Sequence, residues 1–297
     1  MNDFILETNE VSYSYSDKIL ALDKVTVQFS KGKRHVILGS NGAGKSTLFM
    51  LLNGLFRPSS GNIIFKGKPI TYNSKALREI RTSIGVLFQD PDSQLISASV
   101  REDISFGPMN LKLDKKTVKE RVDYALEITG TNNLADRPVH SLSYGQKKSV
   151  CIAGIMAMKP EILILDEPCA GLDQLANQRF LSLLEKLMIQ EELTIIFSTH
   201  DIDLAYRWAD DMYLFNDGKV VASCSSSNFA DEFPKFSDYG FVPPQLIELY
   251  QHLKEVGVIS QRDQHPRSLS ELIQLIESSS SYALSNHLKL LSDLIER

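Results

Sequence analysis

Residues 36 to 55 constrain this chain more than any other stretch. Val36-Ile37-Leu38 is a short apolar run, and Gly39-Ser40-Asn41-Gly42-Ala43-Gly44-Lys45-Ser46-Thr47 follows it directly. Leu48, Leu51, Leu52 and Leu55 then recur at the i, i+3, i+4, i+7 spacing of a helix. A strand, a glycine-rich loop and a helix in that order predict a phosphate-binding loop. Glycines let the backbone wrap closely, successive N–H groups form an anion nest, and the helix N-terminus adds partial positive charge. In such a loop Lys45 reaches the β and γ phosphates and Ser46 holds Mg²⁺. The pattern implies binding of a nucleoside triphosphate.

Strands and helices alternate further along. Ile162 to Leu165 and Thr194 to Phe197 read as apolar strands. The segment between them predicts a helix from about Gln174 to Met188, with Phe180, Leu183, Leu184 and Leu187 on one face. This is an α/β pattern with a parallel sheet covered on both faces. The N-terminal part to about Ile70 is strand-rich, with Val25, Val27 and Phe29 alternating and Gly61-Asn62 leading into Ile63-Ile64-Phe65. Two helical patterns lie between the glycine-rich loop and Ile162. One spans Lys115 to Thr129 and stops at Gly130; the other opens near Ser143, runs to Met158 and stops at Pro160. The serines around Ser225 suggest a domain boundary, giving residues 1–224 and 225–297, with a helical subdomain at about 95–158. In the second domain Pro243-Pro244 opens a helix to about Val256, and Ser268-x-x-Glu271 is a capping box. After the run Ser278 to Ser281, Tyr282 to Ile295 forms a last amphipathic segment.

Composition narrows the function classes. A net charge of -5 gives no basic footprint, so nucleic acid is not an expected partner. Val150 to Met158 is the longest apolar run, short of the ~20 residues that cross a bilayer. Met1-Asn2-Asp3-Phe4 lacks the basic start of a secretion signal. Cys151, Cys169 and Cys224 follow no metal-ligand spacing and read as reduced thiols. These features predict a cytoplasmic protein that would meet a membrane through a partner.

Chemistry-bearing residues sit where strands end. Ile162-Leu163-Ile164-Leu165 runs into Asp166-Glu167-Pro168. Side chains alternate along a strand, so the two acids take different tasks: Asp166 in the Mg²⁺ shell beside Ser46, Glu167 polarising water. His200 follows the strand from Thr194, at the end where open α/β sheets bind ligands, and suits contact with a γ-phosphate. Leu142-Ser143-Tyr144-Gly145-Gln146 opens a helix with Ser143 as N-cap, a second anion site. A second such site on one chain makes sense if it serves the nucleotide held by another copy.

Taken in order, Gly39 to Thr47, Gln89, Leu142 to Gln146, Asp166-Glu167-Pro168, Gly171-Leu172-Asp173 and His200 resemble the motifs of ABC-type ATPases over about residues 4 to 222. They correspond to the Walker A loop, Q-loop, signature, Walker B with its Glu, D-loop and switch His. The resemblance implies a P-loop NTPase fold with a parallel core sheet, an N-terminal antiparallel β-subdomain and a helical signature subdomain. It also implies ATP and Mg²⁺ as ligands and a dimer that sandwiches two ATPs. Each ATP would lie between the Walker A loop of one chain and Ser143, Gly145, Gln146 and Asp173 of the other. Glu167, His200 and Gln89 would be catalytic, Ser46, Gln89 and Asp166 would serve the metal, and Tyr15 would stack on adenine.

A narrower resemblance rests on Phe88-Gln89-Asp90-Pro91-Asp92-Ser93-Gln94-Leu95, Phe106-Gly107-Pro108, Gly145-Gln146-Lys147-Lys148 and Ala170-Gly171-Leu172-Asp173. These look like the ATPase subunits of energy-coupling-factor transporters. That family implies a small helical C-terminal domain that helps hold the dimer, similar to Pro243 through Ile276. It further implies a transmembrane T component docked near Gln89 and Gln94-Leu95, a membrane S component that binds a vitamin or transition-metal ion, and a peripheral place on the cytoplasmic face of the cell membrane. The second ATPase could be the same chain or a paralogue. The alternative is a cassette acting on ribosomes or DNA, which usually shows paired cassettes or long coiled coils, neither present here. Three residues depart from the pattern: Tyr144 for a commoner Gly, Ser149 for a usual Arg, and Cys169 for a usual Thr.

Overall fold

The computed structural model describes residues 4–16, 19–259 and 265–279. The alternating N-terminal segments form an antiparallel sheet. Strand β1 (Phe4–Ser16) pairs with β2 (Ile19–Ser30) on one side and β4 (Ser60–Phe65) on the other, and β4 pairs with β5 (Lys68–Pro69). Val25, Val27 and Phe29 of β2 all point into the core.

The second sheet has six strands in the order β10-β9-β3-β8-β7-β6. They are β3 (Arg34–Leu38), β6 (Ile84–Leu87), β7 (Ile162–Leu165), β8 (Thr194–Thr199), β9 (Asp211–Asn216) and β10 (Lys219–Ser225). The strands β3, β8, β7 and β6 run parallel. Every residue of β7 and β8 is buried, as both-face coverage of a parallel sheet requires. Leu38 pairs with Thr199 and Leu165 with Phe197, so β3, β8 and β7 end side by side. That register brings the loops opening at Gly39, Asp166 and His200 to one edge of the sheet, where open α/β sheets place ligands.

Helix α1 (Lys45–Leu52) buries Leu48, Phe49, Leu51 and Leu52. Leu55, which the spacing assigns to the same face, falls beyond the helix and is 45% exposed. The chain turns at Asn53, whose side chain donates to Ile84 O at 2.6 Å, and periodicity alone does not register that turn.

Between α1 and β7 the sequence predicts two helices; the described residues form four. They are α2 (Ser74–Ser83), α3 (Val100–Asn110), α4 (Lys115–Ile128) and α5 (Tyr144–Met156). α2 buries only Ile80, and α3 contains Gly107-Pro108, so neither carries a clean apolar stripe. The Ser99/Glu102 capping box is the signal that could have revealed α3. Helix α6 (Gln174–Glu191) buries Phe180, Leu184 and Leu187.

Contacts divide the described chain into two units. The first holds the residues up to His200 with Tyr213–Ser223; the second holds Asp201–Met212 and the residues from Cys224 onward. In the second unit lie α7 (Ile202–Trp208), α8 (Phe229–Glu232), α9 (Pro234–Ser237), α10 (Gln245–Glu255) and a helical stretch over residues 269–279. Phe229 packs against Tyr206, Phe233 and Phe236, and Tyr250, Ile259 and Leu272 form a separate small core. Ser268 Oγ accepts from Glu271 N at 3.2 Å, but the Glu271 carboxylate accepts from Arg267 N, so the capping box is half formed. The segment Tyr282 to Ile295 lies outside the described residues. No helix among the described residues is long and apolar enough to cross a membrane.

Candidate active site

The loop after β3 closes through Gly44, which has φ +101° and precedes α1. A Cβ there would sit 2.8 Å from Ala21 O, so glycine is the residue that fits both the angle and the space. Lys45, only 6% exposed, folds back over the loop. Its Nζ donates to Gly39 O at 2.6 Å and Ser40 O at 3.1 Å, and pairs with Glu167 Oε1 at 3.3 Å.

Asp166 and Glu167 follow β7 and are both buried. Glu167 has φ +45°, a left-handed conformation that a residue with a Cβ adopts at a cost. Ser198, fully buried in β8, holds the pair: its Oγ donates to Asp166 Oδ1 at 2.6 Å and accepts from Glu167 N at 2.9 Å. His200 stands at the end of the same strand with Nδ1 3.2 Å from Glu167 Oε2. Ser198 was not singled out from the sequence. Its signal is a polar residue that follows the apolar run Ile195-Ile196-Phe197.

Ser198→Ala removes one hydroxyl that serves two buried groups. A buried group left without its partner costs about 1–3 kcal/mol. We expect a lower Tm and a turnover reduced about tenfold, with nucleotide affinity close to wild type because Lys45 is untouched. Equal turnover in variant and parent would show that Ser198 does not set the two acids.

The loop from Ser40 to Thr47, Gln89, Asp166, Glu167 and Tyr15 line one cavity of about 560 Å³. Tyr15 is 55% exposed; its hydroxyl is hydrogen-bonded to Thr47 Oγ1 at 2.9 Å, and its ring stands edge-on to Tyr13 and Phe56. Ser46, Gln89 and Asp166 present oxygen donors to that cavity. Hard oxygens with one carboxylate, completed by phosphate oxygens, are the set Mg²⁺ prefers. Among the described residues no group of three or more His, Cys, Asp or Glu could hold a metal.

Other predicted site residues lie elsewhere on the chain. Ser143, Gly145 and Gln146 line a different cavity, about 380 Å³, together with Ser149, Leu172 and Arg179. Ser143 caps α5, its Oγ accepting from Gln146 N at 3.4 Å while Gln146 Oε1 accepts from Ser143 N at 3.0 Å. Asp173 caps α6 through Ala176 N at 2.8 Å. Gln94 spends its amide locally, accepting from Phe88 N and donating to Val86 O.

The ABC transporter family profile matches residues 22–170, half of the chain. The chain belongs to the ABC transporter family. Within it, the chain is 43% identical over 255 residues to the energy-coupling factor transporter ATP-binding protein EcfA3 of Clostridium perfringens, covering 86% of this chain and 90% of that protein. It is 40% identical to the corresponding EcfA protein of Methanocaldococcus jannaschii, covering 89% of this chain and 92% of that one. The structure of cbiO1 from Clostridium perfringens, part of the ABC transporter complex cbiONQ, aligns with TM-score 0.73 at 42% identity over 86% of this chain and all of that one. A dimeric ATP-binding cassette in a post-hydrolysis state with ADP and Pi aligns with TM-score 0.65 at 26% identity, over 74% and 98% of the two chains. The fold is thus that of an ABC ATPase, and its reaction is ATP hydrolysis.

Two residues of this ABC cassette that depart from the common pattern have settled partners or neighbours. Ser149 returns its hydroxyl to Gly145 O at 3.1 Å, and the cationic group in its cavity comes instead from Arg179 of α6. Cys169 is half-buried beside the acid loop. Cys151 is buried, and burial pushes its thiol up to about 12, which makes it inert.

Lys148 appears in the sequence only as the end of Gly145-Gln146-Lys147-Lys148, with no task attached. It is fully buried, and its Nζ donates to Pro168 O at 2.6 Å and Ala170 O at 2.8 Å, clamping the turn after Glu167. Burial lowers its pKa from 10.5 to about 8, partly offset by Cys169, Cys151 and Glu167. The unfolded chain therefore binds this proton more tightly than the folded one, so the Lys148 contribution to stability rises with pH between about 8 and 10.5. The gain is on the order of 3 kcal/mol at most. Urea unfolding of wild type and Lys148→Met from pH 7 to 10 should show their stability difference shifting in favour of wild type above pH 8. A pH-independent difference would contradict the buried charge.

Proposed function

We propose that this chain is the ATP-hydrolysing subunit of an energy-coupling-factor importer for a vitamin or a transition-metal ion, acting as a dimer on the cytoplasmic face of the membrane. The observation that carries the reading is the convergence of Lys45, its glycine-rich loop and Glu167 in one cavity, with the ammonium 3.3 Å from the carboxylate. Similarity to energy-coupling factor ATP-binding proteins over most of the chain supports the transporter class.

In this reading the loop amides from Gly39 to Thr47 and Lys45 hold the triphosphate, and Tyr15 packs against adenine. Ser46, Gln89 and Asp166 hold Mg²⁺, which when bound neutralises charge on the phosphate oxygens. Glu167 orients the attacking water and accepts its proton, and His200 supports the γ-phosphate from the next strand. Ser198 and Lys148 fix the acid loop from behind. Ser143, Gly145, Gln146 and Asp173 act on the nucleotide of a second subunit, a role supported by their separation from the Lys45 cavity and by the dimeric ADP-bound relative. A groove of about 330 Å³ lined by Phe88, Gln94, Phe106 and Met158 suits a helix of the transmembrane T component. Phe106 is half exposed there, and the S component would carry substrate specificity.

A tagged pull-down from detergent-solubilised membranes, with partners identified by mass spectrometry, tests this. Recovery of a multi-helix T component with a small substrate-binding membrane protein supports the importer and identifies the cargo class. Recovery of ribosomes or DNA-bound complexes overturns the transport role while leaving the ATPase intact.

A further inference from the structure

The first two turns of α5 rest on the loop that bears Gln89. Tyr144 Oη donates to Gln89 O at 3.1 Å, Lys147 Nζ pairs with Asp92 Oδ1 at 2.5 Å, and Cys151 Sγ lies 3.9 Å from Pro91 O. Positions 144, 147 and 151 are i, i+3 and i+7, one face of one helix. On its other sides the Tyr144 ring meets the acid loop. Lys148 Nζ lies 5.1 Å from the ring centroid while it holds Pro168 O and Ala170 O. Gly171, at φ +76°, lies so close under the ring that a Cβ there would come within 2.8 Å of Tyr144 Cε1. One side chain thus touches the loop of Gln89, the turn after Glu167 and the start of the signature helix. A glycine at 144 could make none of these contacts.

We propose that Tyr144 is a positioning residue that couples Gln89 to the signature helix, so that a displacement of Gln89 on nucleotide binding is passed to Ser143 within the same chain. The inference rests on the functional reading above, in which Gln89 faces the nucleotide and Ser143 serves a second subunit. The tyrosyl hydroxyl is suited to the link. Its O–H donates to the Gln89 carbonyl at 3.1 Å while its ring is held between Lys148 Nζ and Gly171. A single hydrogen bond of this kind is worth about 0.5–1.5 kcal/mol, roughly a 2- to 10-fold effect on a coupled equilibrium.

Hydrogen–deuterium exchange on the full chain tests the coupling, at a protein concentration where light scattering reports monomers only. Nucleotide affinity is measured in parallel by calorimetry. In wild type, ATP with Mg²⁺ should slow exchange both at residues 88–93 and at residues 143–151. In Tyr144→Phe, which keeps the ring and loses the hydroxyl, ATP affinity should stay within about twofold and protection at 88–93 should persist. Protection at 143–151 should fall roughly 2- to 10-fold. Asp92→Asn, which removes the ion pair with Lys147 and keeps the Tyr144 hydrogen bond, should leave both segments closer to wild type than Tyr144→Phe does. Joint protection retained in Tyr144→Phe, or protection confined to 88–93 in wild type, overturns the coupling. A chain that binds no ATP at all would instead overturn the functional reading, and the calorimetry separates the two failures.

Discussion

Glu167→Gln binds ATP and nearly stops hydrolysing it. The substitution keeps the size of the side chain and its place beside Lys45 and His200, and removes the carboxylate that would take a proton from water. Loss of a positioned general base lowers turnover by about 10²–10⁴-fold. Affinity should not fall with it. The carboxylate sits 3.3 Å from the Lys45 ammonium, where it competes with a γ-phosphate for the same cation. Neutralising it should leave ATP binding unchanged or a few-fold tighter and hold a closed dimer together. Steady-state phosphate release, ATP affinity by calorimetry and sizing chromatography with ATP read the three effects. Turnover near that of wild type would remove Glu167 from the reaction.

Lys45→Ala has the opposite signature. The ammonium is buried, bridges two loop carbonyls and balances Glu167, so its removal strips the cavity of its positive charge. Charge-assisted bonds to phosphate are worth roughly twice a neutral one, and several are lost together. ATP affinity should fall by at least about 100-fold, and turnover should become undetectable. Stability also drops, because Glu167 is left buried without its cation; breaking a buried pair costs about 3–5 kcal/mol. The double variant Lys45→Ala/Glu167→Gln separates these consequences. It should recover much of the lost Tm and none of the lost binding, since the pair is a structural interaction only between its two members. Binding recovered in the double variant would mean that the lysine acts on the fold rather than on the nucleotide.

The sequence made the frame legible because the frame is written in local patterns. Val36 to Thr47, the apolar strand before Asp166 and the strand leading to His200 each carry a signal within a few residues. What escaped was made of contacts between distant residues. Ser198 reads as the polar end of a strand until β8 lies against β7 and puts its hydroxyl between Asp166 Oδ1 and Glu167 N. Lys148 reads as one of two adjacent lysines on a helix, yet Lys147 reaches Asp92 near the surface while Lys148 is fully buried under the acid loop. Tyr144 could be marked as a departure from the family pattern, but its partner Gln89 lies 55 residues earlier. Helices α2 and α3 were missed because one is mostly polar and the other contains a proline.

The backbone at Glu167 sets two demands on one position. Its φ of +45° is a conformation that glycine would adopt freely and that a glutamate holds only because its surroundings impose it. Relief of the backbone alone would favour glycine or asparagine here, but either would leave the buried Lys45 ammonium without its carboxylate, at about 3–5 kcal/mol. A thermostability screen would therefore retain the glutamate, and would lose it only together with a second change that removes the Lys45 charge. Stability-guided engineering of this protein has to treat positions 45 and 167 as one unit, because the strain at one is held by the charge at the other.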